Sequence, residues 1–210
     1  VFCTGKHFPG PGDTATDSHH ALPQLLCDKE GSERVDLYPY KKMFDEGLVS
    51  VMVAHLNIPS LEHRDGWPTS VSHSVVTNLL QEDLGFEGLI FTDALNMKGA
   101  SKFMAPGQLD LEAFLAGNDI LLFPENVPLA SEKIATAYQN GLVSEDRLAH
   151  SVKKILRYKY KIGLQKPQIV EEKGISEAMF TPFKEALHYQ IYENAITLVE
   201  NQEDYLRSIV

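Results

Sequence analysis

The sequence predicts an α/β protein of about four parallel β/α units with a helical extension at its carboxyl end. Short apolar runs recur along the first 124 residues, and each run is too short to be a helix. Segments with apolar residues at helical spacing lie between these runs, and glycine and proline residues separate the two kinds of segment. This alternation favours a parallel sheet with right-handed crossovers.

Composition and charge limit the function classes. The chain has 210 residues, which suits one domain and a smaller piece, and its 43% apolar and 23% charged residues are ordinary for a globular protein. A net charge of −10 argues against a nucleic-acid partner, since phosphate binding normally requires a clustered excess of lysine and arginine. No apolar run approaches the roughly 20 residues needed to cross a bilayer, so we expect no membrane partner.

One segment, residues 153–161, is rich in lysine and arginine. Its apolar residues recur at helical spacing, which places the cations, Lys154 among them, on the other side of a helix. We therefore interpret the segment as a solvent-facing helical surface and not as a binding patch.

The first predicted element is a short buried strand over residues 1–4, which are apolar or β-branched. A loop over 6–23 follows, because the prolines and glycines at 9–12 interrupt regular structure. The loop begins KHFPGPGDTATDSHH and holds one lysine, three histidines and two aspartates within these fifteen residues. Since α/β folds build catalytic sites at the carboxyl ends of their strands, this loop is the first candidate site.

Two further buried strands deliver polar residues in the same way. Asp36 is predicted to cap a helix, and residues 49–54 follow as a strand that is apolar on both faces and leads to His55. Ser72 is predicted to cap the next helix, after which GLIFTDAL forms a third strand that ends on Asp93. The three strand ends are expected to meet at one edge of the sheet.

The remaining elements complete the pattern. Residues 119–124 are predicted to form a fourth strand, followed by helices that begin at Ser131 and Ser144. After a polar connector, Thr181 precedes a helix with proline in its first turn, and residues 196–199 are a final strand candidate.

A metal-dependent hydrolase is one interpretation of the polar residues near the strand ends. Six of them are acceptable ligand types: His7, Asp13, Asp17, His19, His20 and His55. No H-E-x-x-H or paired-cysteine spacing supports this interpretation, and we assign no metal ligand.

The loop carries a family resemblance. Residues 6–10 read KHFPG and are followed by GDT at 12–14 and DSH at 17–19. This pattern resembles the signature of family-three glycoside hydrolases, specifically the bacterial β-N-acetylglucosaminidases. The chain departs from it at Pro11, where members usually have histidine. The resemblance resumes in three further segments, 49–59, 86–99 and 151–164.

The resemblance implies an architecture. Residues 1–165 would form the later half of a (β/α)8 TIM-type barrel, and residues 166–210 a connector and the beginning of a second domain. The strands that precede Lys6 in the family would then be absent from this chain. Half a barrel leaves open strand edges at 1–4 and 120–123, so we expect the fragment to self-associate unless the other half is supplied.

The resemblance also implies an activity. The family member would be a retaining β-N-acetylglucosaminidase that hydrolyses terminal β-linked N-acetylglucosamine through a covalent glycosyl-aspartate intermediate, without a cofactor. Its partner would be a carbohydrate, either an N-acetylglucosamine-containing glycan or a muropeptide. A non-catalytic fragment or carbohydrate-binding module remains an alternative.

Asp93 is the predicted nucleophile. Retaining glycosidases use a carboxylate to attack the anomeric carbon, and Asp93 ends an apolar strand where no structural role demands a carboxylate. The match of FTDALNM to the family supports this role. The alternative is a capping residue for the segment from Ala94.

His19 is the predicted general acid and base, with Asp17 as its partner. Imidazole titrates near neutrality, and a carboxylate that accepts from one ring nitrogen fixes the tautomer and raises the basicity of the other. Spacing alone also allows an Asx-turn at Asp17 with a solvated His19, and the resemblance to the family's Asp-Ser-His motif favours the catalytic pair.

Three residues are predicted to bind substrate. Lys6 and His7 can donate hydrogen bonds to sugar hydroxyls. His55 is similar to a family histidine near the substrate, and a satisfied core histidine is an equal alternative. The remaining polar candidates are interpreted as solvated or capping residues: Asp13, His20 and His73.

Overall fold

The computed structural model describes residues 2–12, 14, 16, 20–166, 169 and 171–201. The chain divides into two compact units, Val1–Gln165 and Lys166–Val210. In the described part of the first unit, three parallel strands form one sheet in the order β1-β2-β3. The strands are β1 (Thr4–Phe8), β2 (Ser50–Val53) and β3 (Leu89–Thr92).

The predicted fourth strand lies beside β3 but pairs at one position only. Ile120 bridges Phe91 in parallel, with Thr92 N donating to Ile120 O at 3.0 Å and Ile120 N donating to Ile90 O at 3.0 Å. The backbone ladder stops there because Leu122 N donates to the Thr92 side-chain oxygen instead of a carbonyl. The parallel order of the four segments confirms the predicted α/β class.

Helices connect these strands, as expected of parallel crossovers. Helices α1 (Lys29–Val35) and α2 (Leu37–Asp45) lie between β1 and β2. A 3₁₀ turn (Thr69–Val71) and a π-helix (Ser74–Asp83) lie between β2 and β3. Helices α3 (Lys98–Ser101) and α4 (Gln108–Ala116) precede Ile120, and α5 (Val127–Gln139) and α6 (Glu145–Lys161) follow it.

The main core lies between the sheet and the helices that cover it. The inward side chains of the strands are fully buried, and they pack against α2 and the π-helix. Within this core, Phe8 and Tyr40 form an edge-to-face pair with ring centroids 5.1 Å apart. Burial raises the pKa of the Tyr40 hydroxyl well above its usual value. This core holds the carboxyl ends of β1, β2 and β3 at one edge.

The first strand differs from the prediction. It runs over Thr4–Phe8, so Lys6 and His7 belong to the strand and not to the loop. The chain stays extended because Lys6 pairs with Met52 of β2 and the Phe8 side chain is fully buried in the core. The pairing register shifts between Lys6 and Phe8, immediately before Pro9.

One predicted helix start is confirmed without its capping bond, and another is wrong. Helix α2 begins at Leu37, directly after Asp36 as predicted, but the Asp36 side chain makes no capping hydrogen bond and its backbone is already helical. Ser131 lies inside α5, which is capped by Asn126 through a 3.0 Å bond from Leu129 N. By contrast, Ser144 caps α6 as predicted, accepting from Arg147 N at 3.1 Å.

The π-helix begins as the sequence predicts. Ser72 Oγ accepts from Val75 N at 3.2 Å and donates to Glu62 Oε2 at 2.5 Å. The hydroxyl therefore serves both the first turn of the helix and a buried carboxylate.

The basic segment of α6 is not uniformly solvent-facing. Lys154 is only 7% exposed, and its Nζ donates to Asp119 Oδ2 at 2.8 Å and to Gly88 O at 3.1 Å. The interpretation of Lys154 as a solvated cation is wrong, because two distant segments bring acceptors to it. Lys153 and Arg157 are exposed as predicted.

The second unit contains helices α7 (Ile175–Met179) and α8 (Pro182–Ala195). Thr181 caps α8 as predicted, accepting from Lys184 N at 3.3 Å. The strand predicted over 196–199 is wrong: these residues have exposed side chains, and the structure gives them no strand partner within the part that it describes. In neither unit is any described helix long and apolar enough to span a bilayer.

Candidate active site

Three strand ends converge on one cavity. His7 comes from β1, His55 follows β2 and Asp93 follows β3, and all three line a cavity of about 230 Å³. The rest of the wall comes from the loop after β1 and from residues beside His55: Pro11, Thr14, Thr16, Pro23, Ala54 and Leu56. The expectation that polar residues of different strands meet here is confirmed.

Asp93 has one oxygen engaged locally and one directed toward His7. Its Oδ1 accepts from Ala94 N at 2.9 Å, and its Oδ2 lies 3.8 Å from His7 Nε2. The Asp93 side chain is 13% exposed and that of His7 is 33% exposed. Since 3.8 Å is longer than a hydrogen bond, a ligand atom can approach Oδ2 without displacing His7 from a hydrogen bond.

Asp93 does not cap a helix. The first helix after it, α3, begins at Lys98, and Met97 occupies the cap position. The backbone of Asp93 is fixed by its own N–H, which donates to Val53 O at 2.9 Å. The capping alternative for Asp93 is therefore wrong, although its Oδ1 does bond the amide of Ala94.

His55 is fully buried, and both of its ring nitrogens have partners within the protein. Nε2 lies 3.0 Å from Ala94 O, and Nδ1 lies 2.6 Å from Ser70 Oγ. Because a carbonyl oxygen only accepts, Nε2 carries the proton, and Nδ1 of the neutral ring accepts from the Ser70 hydroxyl. Burial lowers the pKa of His55 and outweighs the Ala94 carbonyl and Asp93, which raise it. The ring is therefore neutral at pH 7.

The loop after β1 packs closely against Asp36, the residue directly before α2. A Cβ atom on Gly10 would lie 2.8 Å from Asp36 Oδ1, and Gly10 has a φ of 140°, which favours glycine. Beyond it, Pro11 O accepts from Thr14 N at 3.1 Å. Pro11, the residue that departs from the family signature, therefore forms both a turn and part of the cavity wall.

The other predicted residues fall into two groups. Lys6 has an exposed side chain and is not among the described residues that line the cavity, and His20 and His73 are also exposed. The predicted acid-base pair, Asp17 and His19, lies outside the described residues, as does Asp13. Among the described residues, no group of three His, Cys, Asp or Glu side chains could hold a metal ion.

Sequence reasoning missed the hydroxyl residues of this site. Thr14 and Thr16 line the cavity, and Ser70 binds His55 from behind. Thr14 and Thr16 could have been noticed because they lie within the signature loop. Ser70 gave no signal, since only the fold brings it to a residue 15 positions away.

Comparisons with known proteins agree on one family. Residues 1–158 match the model described as the glycosyl hydrolase family 3 N terminal domain. Beta-hexosaminidase A of Pseudoalteromonas piscicida is 30% identical over 216 residues, covering 93% of this chain and 36% of that protein.

Solved structures show the same similarity. A glycoside hydrolase family 3 beta-N-acetylglucosaminidase from Paenibacillus sp. str. FPU-7 is 34% identical with a TM-score of 0.87, over 96% of this chain and 39% of that one. Beta-glucoside phosphorylase BglX bound to 2FGlc is 25% identical with a TM-score of 0.89, over 97% of this chain and 38% of that one. The chain thus spans less than two fifths of the length of these relatives.

Proposed function

Because the chain belongs to glycosyl hydrolase family 3, as its KHFPG segment predicted, we propose that the protein containing it hydrolyses terminal β-linked N-acetylglucosamine with retention of configuration. One observation carries the proposal: Asp93 directly follows β3 at the wall of a cavity, and among the described residues its Oδ2, which is directed toward His7, has no donor at hydrogen-bond distance. The names of two relatives, a beta-hexosaminidase and a beta-N-acetylglucosaminidase, support the choice of sugar.

The family's N-terminal domain has a TIM-barrel-type fold, and we propose that residues 1–165 supply its later half. The four parallel segments in chain order support this assignment. Residues 166–210 would then be the connector and the beginning of a second domain. The open edge beside Ile120 is followed by the exposed apolar side chains of Phe123 and Val127, so the isolated chain should self-associate, and a monodisperse monomer by light scattering would contradict that expectation.

The proposed reaction has two steps. Asp93 Oδ2 attacks the anomeric carbon while the bond to the leaving oxygen breaks, and His19 donates its proton to that oxygen. A water molecule then attacks the same carbon, His19 takes the proton of this water, and the Asp93 carboxylate is released. Both steps invert the anomeric centre, so the product keeps the configuration of the substrate. The role of His19 and that of Asp17 as its partner are predictions from the sequence.

The ring of His7 brings a side-chain donor close to the reacting carboxylate. From 3.8 Å, its Nε2 can donate to a sugar hydroxyl that lies between it and Asp93. We propose the same hydroxyl-binding role for Lys6, whose exposed side chain lies at the preceding position of β1.

The test uses the full-length protein with an aryl β-N-acetylglucosaminide. Proton NMR during turnover should show β-N-acetylglucosamine as the first product, followed by slow mutarotation. Initial formation of the α-anomer would reject the retaining mechanism. Binding of N-acetylglucosamine oligomers without any turnover would support the alternative of a non-catalytic, carbohydrate-binding protein.

Phosphorolysis is a second candidate outcome, and the similarity to a protein named beta-glucoside phosphorylase supports it. After donating its proton, His19 is neutral, whereas a carboxylic acid would become an anion facing the intermediate. A like-charge contact at about 4 Å costs about 4 kcal/mol at an effective dielectric near 20, so histidine favours an anionic acceptor. Turnover in phosphate should yield some sugar 1-phosphate, and free sugar alone would reject this candidate.

A further inference from the structure

The ring of His55 has no polar atom left for a sugar. It is fully buried, its Nε2–H donates to Ala94 O and its Nδ1 accepts from Ser70 Oγ. Although the residue lines the cavity, both ring nitrogens are already bonded to protein groups and are not free for a ligand. Both of its bonds run to protein groups, and one of them leads to the residue next to Asp93.

The backbone of His55 is held on both sides by a single hydroxyl. Thr69 Oγ1 donates to Ala54 O at 2.6 Å and accepts from Leu56 N at 3.2 Å, so it bonds the two residues that flank His55. Thr69 N also donates to Leu56 O at 2.8 Å. These three buried bonds fix the position from which the imidazole extends.

Ser70, the other partner of the ring, is fixed by more distant elements. Its carbonyl accepts from Asn118 Nδ2 at 2.8 Å, and the same amide nitrogen donates to Ala113 O at 2.7 Å. The carbonyl of Asn118 in turn accepts from the Arg147 guanidinium at 2.7 Å. Ser70 is therefore held in place, through Asn118, by residues of α4 and α6, and it in turn bonds the imidazole.

The contacts of His55 also fix the orientation of the Asp93 carboxylate. Ala94 is held through its carbonyl by His55 Nε2, and its N–H donates to Asp93 Oδ1. Asp93 itself is held through its N–H by Val53 O. The direction of Oδ2 toward the cavity thus depends on where His55 holds Ala94.

We propose that His55 is a positioning residue that orients the Asp93 carboxylate through the backbone of Ala94, and that it does not bind the sugar. This inference rests on the proposed function. A misplacement of about 1 Å at a reacting atom can reduce a rate about a hundredfold, so the expected loss is in turnover and not in sugar affinity.

The experiment compares variants of the full-length protein on a 2,4-dinitrophenyl β-N-acetylglucosaminide, whose leaving group needs no proton. His55→Leu should lower the rate of the first step about tenfold to a hundredfold and leave the inhibition constant of free N-acetylglucosamine within about twofold. His55→Gln, which keeps a donor, should recover part of the rate. Thr77→Val is the matched control, since it removes a hydroxyl-to-carbonyl bond of 2.8 Å between the π-helix and α4, at a residue that does not line the cavity.

The outcomes separate the two proposals. A wild-type protein without glycosidase activity rejects the proposed function. An active wild type with an unchanged rate in folded His55→Leu, or with an inhibition constant that weakens as much as the rate, overturns the positioning role. If His55→Leu does not fold, Ser70→Ala replaces it: a rate reduced about threefold or more at unchanged inhibition constant supports the role, and an unchanged rate overturns it.

Discussion

Two aspartates at opposite ends of the same sheet have very different surroundings. Asp119 lies at the start of the fourth parallel segment and receives three bonds: from Ser151 at 2.5 Å, Lys154 at 2.8 Å and Ile90 N at 3.0 Å. Asp93 directly follows β3 and, among the described residues, receives one bond of hydrogen-bond length, from the adjacent Ala94 N at 2.9 Å.

The number of donors separates a structural carboxylate from a reactive one. Every oxygen of Asp119 is already satisfied, so it can hold α6 against the sheet but cannot accept a substrate atom. Asp93 has its Oδ2 at a cavity wall without a bonded donor from the described residues, as a nucleophile requires. Substitutions at these carboxylates and at their donors can test this contrast.

The largest effect is expected at Asp93. Asp93→Asn in the full-length protein should lower kcat at least about a thousandfold, because the amide is a poor nucleophile, while the free energy of unfolding changes by less than about 1 kcal/mol. A 2-deoxy-2-fluoro glycoside with an activated leaving group should label Asp93, as peptide mass analysis would show. Near-normal turnover in the variant would contradict the assignment.

The next effect concerns stability. Lys154→Met leaves the Asp119 carboxylate buried without its cation, and we expect a loss of about 3–5 kcal/mol in the free energy of unfolding, measured by denaturant titration. The matched control is Lys153→Met, since Lys153 is the exposed neighbour on the same helix. Equal losses in the two variants would show that the buried pair of Lys154 and Asp119 contributes no more to stability than the exposed Lys153.

A third carboxylate, Glu62, should make stability depend on pH. Hydrogen bonds from Arg64, aided by Ser72, lower the pKa of the buried Glu62 from 4.5 to about 2, against the opposing effect of burial. A lowered folded pKa stabilises the protein above the unfolded value of 4.5, and this stabilisation is lost as the pH falls from 4.5 toward 2.

The size of the Glu62 effect follows from its partner. Arg64 is 50% exposed, so solvent weakens the pair, and we expect about 2 kcal/mol of stability to be lost over that pH range. Glu62→Gln should flatten this part of the stability profile, and Glu82→Gln on the exposed surface should not. A profile of the same slope in both variants would contradict the prediction.

The smallest effect tests one donor of Asp119. Ser151→Ala removes the 2.5 Å bond to Oδ1 but leaves Lys154 in place, so we expect a loss of about 1 kcal/mol by thermal or denaturant unfolding. Ser131→Ala, at an exposed position of α5, serves as the control. A loss as large as that of Lys154→Met would mean that the hydroxyl, and not the ion pair, dominates.

The sequence by itself determined the order of strands and helices and the place of Asp93. These follow from local chemistry: apolar runs of strand length are buried on both faces, and Ser144 and Thr181 cap the helices that follow them. The signature residues likewise lie next to one another in the chain, so the family was readable without the fold.

Only the tertiary structure decided which side chains meet. His55 is hydrogen-bonded to Ser70 and Ala94, and Lys154 to Asp119, and the partners in each pair lie 15 to 39 positions apart in the chain. The extent of β1 was also decided there, because pairing with β2 keeps Lys6 and His7 extended. Hydrogen bonds and burial of this kind depend on distances in space, which local spacing does not specify, and so the partners that hold the carboxylates could not be read from the sequence.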